Sequence, residues 1–375
     1  MKRLTAIIVS ALILLSSCGK ETFTTRQENG TFDSAVSNEV TSSNDESGRL
    51  ISFLNISNNG ELFIDSQTRL NFFDFTIMDS VVICSKPNCP HNDENSCSSF
   101  GMHRDPFIQD GHIYFFETDA YMDKNKPVFN TNIVRADIDG TNRKVILTLE
   151  DKALSSSNIL LMGDTLYFGL RTLDYNELSI NSDDSTAMLY SYNLKTDKLT
   201  ELFSMKEGYN CSAQIDGLFC GEIYFEMHYQ EEKREYNPDE FVQPIFNTNY
   251  YKYNPYDGTI SERDGEYYPF SGCVIHFEDE GITFYFENGR ELYISDISTK
   301  STYISIINDF IIDTENKFAV EISSGKRYAV DGIETGDSII YYMDGSYVIK
   351  SFDENSGAYG YRKIDENELI GAEIT

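Results

Sequence analysis

The sequence predicts an all-β fold made of sequential repeats, and three observations support this. Residues alternate between apolar and polar with a period of two, as in strands. The chain contains 25 Tyr and 25 Phe but no Trp, and both residue types favour strands. A polar turn followed by an aromatic strand returns six times, marked by Gly60, Gly111, Gly163, Gly221, Gly281 and Gly336. Four short strands in each repeat would form the blades of a single β-propeller.

The N-terminal segment has the pattern of an export signal. Its positive start, Lys2-Arg3, precedes an apolar run that is too short to span a bilayer as a helix. The following Leu-Ser-Ser-Cys at 15–18 resembles the lipobox of bacterial lipoproteins. That resemblance implies that residues 1–17 are a lipoprotein signal peptide and that Cys18 carries the lipid. An ordinary cleaved signal with a chance cysteine is the alternative.

The predicted signal is followed by a predicted tether and then by the repeats. Residues 18–47 are mostly Ser, Thr, Asn and Glu, a composition that cannot bury enough surface to offset the entropy of folding. We therefore expect the lipidated Cys18 to begin a disordered tether. The propeller would occupy 48–375, and a strand near 50–56 would close it by pairing with the last blade around 359–364.

Charge restricts the partners of the protein. The formal net charge of -31 repels phosphate backbones, so nucleic acid is excluded as a partner. It also disfavours lying flat on an anionic membrane. The lipid on Cys18 would then be the only membrane contact, holding the protein at the extracytoplasmic face of a bacterial cell membrane. Acidic loops would attract divalent cations or basic partners, although the same charge also serves solubility.

The number of blades follows from the repeats. Six glycine-marked strands predict six blades, while additional strand-like runs at 310–313 and 317–322 leave seven as the alternative. One repeat shows the local pattern clearly, because Asp139-Gly140 separates two alternating runs. This dipeptide readily adopts the positive φ of a tight hairpin turn.

Two family resemblances accompany these patterns. The run from Ile133 to Ile146 resembles the repeat of low-density-lipoprotein-receptor-type six-bladed propellers, whose Tyr-Trp is Tyr-Phe here. The lipobox, tether, Gly-x-Ile-Tyr-Phe repeats and a Cys-x-x-Pro-x-Cys-x-His segment at 84–91 are together similar to propeller lipoproteins of Gram-positive anaerobes. This second resemblance implies the propeller fold and the location at the membrane, and it implies no defined activity.

One group of residues has the composition of a metal site. Cys84, Cys89, His91 and Cys97 have the spacing Cys-x4-Cys-x-His-x5-Cys, in a loop whose two prolines exclude a regular helix. Three thiolates and one imidazole would complete a closed structural Zn2+ site and order the loop. A disulfide is the alternative, since export favours it and Cys89 with Cys97 is the easiest pair. Inert thiols are a third interpretation.

The remaining cysteines and one histidine leave further alternatives. Cys211, Cys220 and Cys273 are interpreted as small buried residues, with a Cys211–Cys273 bridge as the alternative. An odd number of cysteines in each group would also allow a bond between the groups. His103 follows the loop and could serve as a spare ligand.

The sequence contains no recognisable catalytic motif. A Gly-x-Ser-x-Gly nucleophile elbow, a phosphate-binding loop and a His-Glu-x-x-His pair are all missing from it. We therefore expect a surface-anchored, non-enzymatic propeller that binds or scaffolds a peptide, glycan or envelope protein. One alternative is a polysaccharide hydrolase or lyase that uses loop carboxylates. Another is a metal or redox sensor based on the Cys/His loop.

Overall fold

The structure is a computed structural model. It describes residues 49–50, 55–57, 60–65, 67–92, 96–102, 105–123, 126–172, 185–232, 245–270, 272–298, 303–334, 336–353 and 358–374. The predicted signal peptide (1–17), the predicted tether (18–47) with Cys18, and His103 lie outside the described residues.

The described chain folds into seven antiparallel sheets that follow one another along the sequence. Each sheet is a meander of neighbouring strands, which is the construction of a propeller blade. The prediction of an all-β, single β-propeller is therefore confirmed. The helix of the described part is one four-residue turn. We find no helix in that part with the length and apolar character needed to cross a membrane.

One compact unit comprises the described residues of Met1–Ile215 together with Met227–Thr248. The first blade contains β2 to β5: Asn55–Ser57, Gly60–Ile64, Leu70–Asp74 and Asp79–Val82. The second contains β6 to β9: Phe107–Gln109, His112–Asp123, Lys126–Asp137 and Lys144–Glu150. The third contains β10 to β13: Lys152–Met162, Thr165–Thr172, Ala187–Asn193 and Lys198–Met205. The short strand β1, Arg49–Leu50, lies beside β10.

The fourth blade contains the boundary between the two units, which falls within its first three strands. Its strands are β14 to β17: Tyr209–Phe219, Glu222–Gln230, Asn247–Tyr253 and Ile260–Glu262.

The second unit comprises Asp216–Glu226 and Asn249–Thr375. The fifth blade contains β18 to β21: Tyr267–Phe270, Cys273–Glu278, Gly281–Phe286 and Glu291–Ser295. The sixth contains β22 to β25: Ile304–Ile307, Phe310–Asp313, Phe318–Glu321 and Arg327–Val330. The seventh contains β26 to β28: Ser338–Met343, Ser346–Asp353 and Ala358–Asp365. The chain ends with helix α1, Glu366–Leu369, and strand β29, Ile370–Ile374.

The core within each unit is built from the alternate faces of neighbouring sheets. In the first unit, Phe72 of the first blade is buried with Ile113 and Phe115 of the second. In the second unit, Phe284 of the fifth blade is buried with Ile311 of the sixth. This pairing follows from the period of two, because every second side chain of a strand points to the same face.

The structure has seven blades, which the sequence left as the alternative to six. The sixth blade, β22 to β25, is the one without a glycine marker. Its first turn has Asn308-Asp309 where the second blade has Asp110-Gly111, and Asn308 adopts the left-handed region with φ of 55°. Asparagine tolerates this conformation better than most residues, so the turn forms without glycine.

The predicted closure of the propeller is wrong for the described residues. The strand β1 pairs with Leu160 and Leu161 of the third blade, and β2 pairs with β3 of its own blade. At the other end, β29 pairs with β25 of the sixth blade, so the seventh blade has three strands. The fully buried Leu369 explains this path, since it joins the core shared by the sixth and seventh blades just before β29 begins.

Candidate functional site

The four residues that the sequence singled out as metal ligands come together in the structure. The donor atoms of Cys84, Cys89, His91 and Cys97 all lie within 4.8 Å of one another. Cys84 and Cys97 are buried, whereas Cys89 and His91 are half-buried. With Zn–S bonds of about 2.3 Å, the donors of a tetrahedral site stand roughly 3.5 to 4 Å apart. Small side-chain movements would therefore bring these four donors to the geometry of a zinc site.

The path of the loop explains why the donors meet. Cys84 follows directly on β5 and Ile83, so the end of a buried strand fixes its position. The amide of Cys89 donates to the carbonyl oxygen of Lys86 at 3.2 Å, which closes a turn. Asn88 and His91 then adopt positive φ values of 56° and 50°. These two left-handed residues turn the chain within a few residues of the first thiol.

Arg69 supports the cluster from the first blade. Its Nη1 atom donates to the carbonyl oxygen of His91 at 3.2 Å, and its guanidinium is held by Asp65 at 2.7 Å. The backbone beside Arg69 pairs with the end of the loop, because the amide of Leu70 donates to the carbonyl oxygen of Ser99 at 2.8 Å. The loop is thus fixed on both sides of the candidate ligands.

The hairpin turn between β8 and β9 supports the cluster from the second blade. The Ser98 hydroxyl donates to the carbonyl oxygen of Asp139 at 2.9 Å. In return, Nη2 of Arg143 donates to the carbonyl oxygens of Ser98 and Phe100. Gly140 is required here, since a Cβ atom on it would lie 2.6 Å from the Ser98 carbonyl oxygen. This turn therefore positions the segment that carries Cys97.

The two buried thiols differ in acidity. Burial opposes ionisation of Cys84, but hydrogen bonds from Lys86, Ser98 and Cys97 outweigh it and lower its pKa. Burial raises the pKa of Cys97 to about 11, and the nearby Cys84 adds to the rise, against hydrogen bonds from Ser99. Cys84 is therefore the first of the two to become a thiolate, and a cation would be needed to hold both as thiolates.

The histidine is kept in the form that binds metals. Burial lowers the pKa of His91, and the positive charge of Arg69 lowers it further. A neutral imidazole has a free lone pair, whereas a protonated one has none to donate. The Nδ1 atom of His91 lies 3.2 Å from Sγ of Cys97, so the imidazole already faces the thiols.

The six cysteines of the described residues are free thiols. None of the disulfides considered from the sequence, Cys89–Cys97 or Cys211–Cys273, is therefore formed in this structure. The thiols of Cys211 and Cys273 instead donate to the carbonyl oxygens of Glu207 and Phe270, at 3.1 and 3.0 Å. Both are fully buried, in agreement with the interpretation as small buried residues, but that interpretation is wrong for Cys220, which is exposed beside a turn.

Sequence reasoning found the four donors but missed the groups that hold them. Arg143 is 45 residues away from Ser98 along the chain, and Arg69 is 22 residues away from His91. Both arginines donate to backbone carbonyl oxygens, which any residue provides. No residue type in the loop could therefore have signalled these contacts.

Comparisons with known proteins add likenesses to several solved structures. Pyrococcus horikoshii acylaminoacyl peptidase is similar at 15% identity and a TM-score of 0.40, over 72% of this chain and 45% of that one. Oligogalacturonate lyase from Vibrio parahaemolyticus is similar at 11% identity and a TM-score of 0.34, over 82% and 86%. The β-propeller domain of the Trilobed protease from Pyrococcus furiosus is similar at 12% identity and a TM-score of 0.27, over 72% and 97%.

These likenesses do not identify an activity. No model of a protein family matches the sequence, and no curated protein matches it either. The chain spans less than half of the peptidase, at 45% of its length. What the larger enzyme does therefore cannot be transferred to this chain.

Proposed function

We propose that the protein is a non-enzymatic binding propeller, anchored at the extracytoplasmic face of the membrane through a lipid on Cys18. A structural Zn2+ held by Cys84, Cys89, His91 and Cys97 orders the loop after its first blade. One observation carries the metal proposal: the four donor atoms lie within 4.8 Å of one another. The lipobox and the resemblance to propeller lipoproteins of Gram-positive anaerobes support the location.

The electrostatics of the loop agree with a bound zinc ion. Three thiolates and one Zn2+ leave a net charge of about -1 on the centre. Arg69 lies beside His91, and Arg143 lies close enough to Cys97 for their charges to interact. These two guanidinium groups would offset that charge. The metal would supply folding free energy to a loop with little core of its own.

The burial of the thiols favours a structural role over a sensor. Cys84 is fully buried and Cys97 is 5% exposed. A sensor cysteine has to be reached by its reactant, so it is usually exposed and of low pKa. The high pKa of Cys97, about 11, argues in the same direction, and Cys84, whose pKa is lowered, is fully buried and so inaccessible to a reactant.

The carboxyl groups give no support to a hydrolase or lyase. A general acid needs a pKa raised toward neutrality. Among the described residues, the carboxyls with a shifted pKa are all shifted downward, and they are Asp65, Asp139, Asp257 and Asp337. These groups are held ionised, which is the state of a structural hydrogen-bond acceptor. We therefore propose binding rather than catalysis.

Metal analysis of the full chain tests the site. The protein is purified in detergent under anaerobic conditions, and its zinc is measured by mass spectrometry beside a Cys84→Ser, Cys89→Ser variant. Cys220→Ser is the matched control, because Cys220 is exposed and outside the cluster. We expect about one zinc per chain in the parent and the control, and loss of zinc with a lower Tm in the double variant. Metal-free protein whose loop thiols titrate only after reduction would instead establish a disulfide.

The anchor is tested separately by Cys18→Ser. We expect the parent protein to sediment with membranes and to carry a diacylglyceryl group on Cys18 in mass spectra. The variant should appear in the soluble fraction with its zinc content unchanged. Membrane association that persists in the variant would contradict the lipid anchor while leaving the metal proposal intact.

A further inference from the structure

One face of the fifth blade carries a row of aromatic side chains. In the register of its four strands, Tyr267 lies opposite His276, His276 opposite Thr283, and Thr283 opposite Tyr293. Directly opposed residues share one face of a sheet, so these side chains form one row across the blade. Tyr285 is two residues after Thr283 and therefore projects from the same face.

The ring of Tyr267 contacts two other rings of this row, and the row is partly open to solvent. The ring of Tyr267 stacks on that of His276, with centroids 4.9 Å apart, and lies 5.7 Å from the ring of Tyr285. Tyr267 is 36% exposed and Tyr293 is 49% exposed. We call Tyr267, His276, Tyr285 and Tyr293 the aromatic face. Exposed aromatic patches with a polar border are typical of binding sites.

Carboxylates border the aromatic face. Glu291 lies directly opposite Tyr285 in the register, and Glu278 accepts a hydrogen bond from the hydroxyl of Thr283. Both glutamates are exposed. The pKa of Tyr285 is raised, first by burial of its hydroxyl and then by Tyr267, Glu291 and Glu278. Glu278 and Glu291 therefore make the potential at Tyr285 negative, which favours a cation.

The same combination of groups already holds a cation elsewhere in this unit. The guanidinium of Arg263 lies over the rings of Tyr224 and Tyr250, at 5.2 and 5.0 Å, and pairs with Asp216 at 2.6 Å. Within the described ranges, by contrast, no lysine or arginine side chain lies over a ring of the aromatic face. Arg263 also donates to the backbone carbonyl oxygen of Tyr267 at 2.7 Å, but its guanidinium lies over Tyr224 and Tyr250 rather than over the rings of this face.

We propose that the aromatic face binds lysine or arginine side chains of an extended basic peptide. This inference rests on the proposed binding function and names its partner. Aromatic rings attract cations through their negative faces, and nearby carboxylates strengthen the attraction. The net charge of -31 would also draw a basic segment toward the protein. A neutral glycan has no charge for Glu278 and Glu291 to attract, so its binding should depend less on these charges than that of a basic peptide, and this difference makes the proposal testable.

Titration of the full chain with synthetic peptides tests the proposal. Tetralysine and tetraarginine are the probes, a neutral oligosaccharide is the comparison ligand, and binding is measured by calorimetry at low salt. Removing one exposed cation–π contact should weaken peptide binding about threefold, so Tyr267→Ala with Tyr293→Ala should weaken it about tenfold. Tyr121→Ala is the matched control, since Tyr121 is 54% exposed on the second blade, and it should bind like the parent.

A charge variant keeps the proposal falsifiable if the tyrosine variants fold poorly. Glu278→Gln with Glu291→Gln retains the rings and the acceptor for Thr283, and it should also weaken peptide binding. If Tyr121→Ala weakens peptide binding as much as the Tyr267→Ala, Tyr293→Ala variant does, the attraction is non-specific and the proposal is overturned. Oligosaccharide binding that needs the tyrosines but not the glutamates would overturn it in favour of a glycan.

The zinc-free Cys84→Ser, Cys89→Ser variant separates this inference from the metal proposal. The aromatic face and the Cys/His cluster share no residues, so we expect this variant to bind the peptides like the parent. If the parent protein binds the peptides but contains no zinc, only the metal proposal is overturned. A normal zinc content with no peptide binding would overturn only the inference.

Discussion

Nη2 of Arg143 donates a 2.6 Å hydrogen bond to the carbonyl oxygen of Ser98, one residue after the candidate ligand Cys97. The same guanidinium group donates to the carbonyl oxygen of Phe100. It therefore holds the backbone on the C-terminal side of Cys97 from a hairpin turn of the second blade. The position of this ligand depends on a residue that does not itself bind the metal.

Arg143→Ala should loosen the metal site without removing a ligand. A hydrogen bond from a charged donor contributes about 1.5 to 3 kcal/mol, and exposure to solvent reduces this to about 1 kcal/mol here. We expect a lower Tm and weaker zinc binding in competition with a chromogenic chelator. Arg143→Lys is the control, since it keeps the charge but loses the forked geometry. If both variants bind zinc with the same affinity as the parent, the loop positions Cys97 without help from Arg143.

Gly140→Ala should destabilise the protein through a clash with the loop. Gly140 has a φ of +77° and a Cβ would meet the Ser98 carbonyl oxygen at 2.6 Å. Gly258→Ala is a matched control, because Gly258 has a φ of +76° and nothing within 4 Å of its Cβ position. Both variants pay about 1 kcal/mol for the left-handed backbone, and Gly140→Ala should lose about 1 to 3 kcal/mol more. Equal free energies of unfolding in chemical denaturation would contradict the close approach.

The sequence was sufficient for the fold class but not for the number of blades. Alternation and turn chemistry are local, so hairpins such as the one around Asp139-Gly140 are readable directly, and β8 does pair with β9 there. The sixth blade was ambiguous because its first turn, Asn308-Asp309, has no glycine at the position where Gly111 marks the turn of the second blade. The course of β29 depends on where Leu369 is buried, which is a tertiary property.

The candidate site could likewise be predicted only in part from the sequence. The four donors have a spacing and chemistry that point to a metal, and the structure brings them together. Arg69 and Arg143 act through backbone carbonyl oxygens far along the chain, so their contribution leaves no pattern in the loop sequence. The aromatic face likewise depends on register, since Tyr267 and Tyr285 meet only after three strands have paired.

Asp337 should contribute stability that is lost in acid. Burial alone would raise the pKa of this carboxyl, but hydrogen bonds from the Glu334 amide, the Ser351 hydroxyl and Arg362 outweigh it and lower the pKa. Since the folded pKa is below the ordinary value of 3.8, the stabilisation is complete above that pH and disappears as pH falls through the folded pKa.

Asp337→Asn tests this pH dependence. We expect the variant to be less stable than the parent by about 1 to 2 kcal/mol at pH 7, because charged hydrogen bonds become neutral ones. The difference should shrink between about pH 5 and pH 2 as the parent carboxyl becomes protonated. Denaturant titrations at several pH values measure it. A difference that stays constant across this range would mean that the pKa of Asp337 is the same in the folded and the unfolded protein.

The thiols outside the cluster should differ in reactivity in the native protein. Burial raises the pKa of Cys273 to about 12 and also raises that of Cys211, so neither offers an accessible thiolate. Cys220 is exposed, although burial of its thiol and the charges of Glu287 and Glu222 raise its pKa.

At pH 8, iodoacetamide should therefore modify Cys220 first, and Cys211 and Cys273 only after unfolding in urea. Glu287→Gln should speed the labelling of Cys220 about twofold, because it removes a negative charge near the thiol. Peptide mass spectrometry measures each rate, and native labelling of Cys273 as fast as Cys220 would contradict the buried core of the fifth blade.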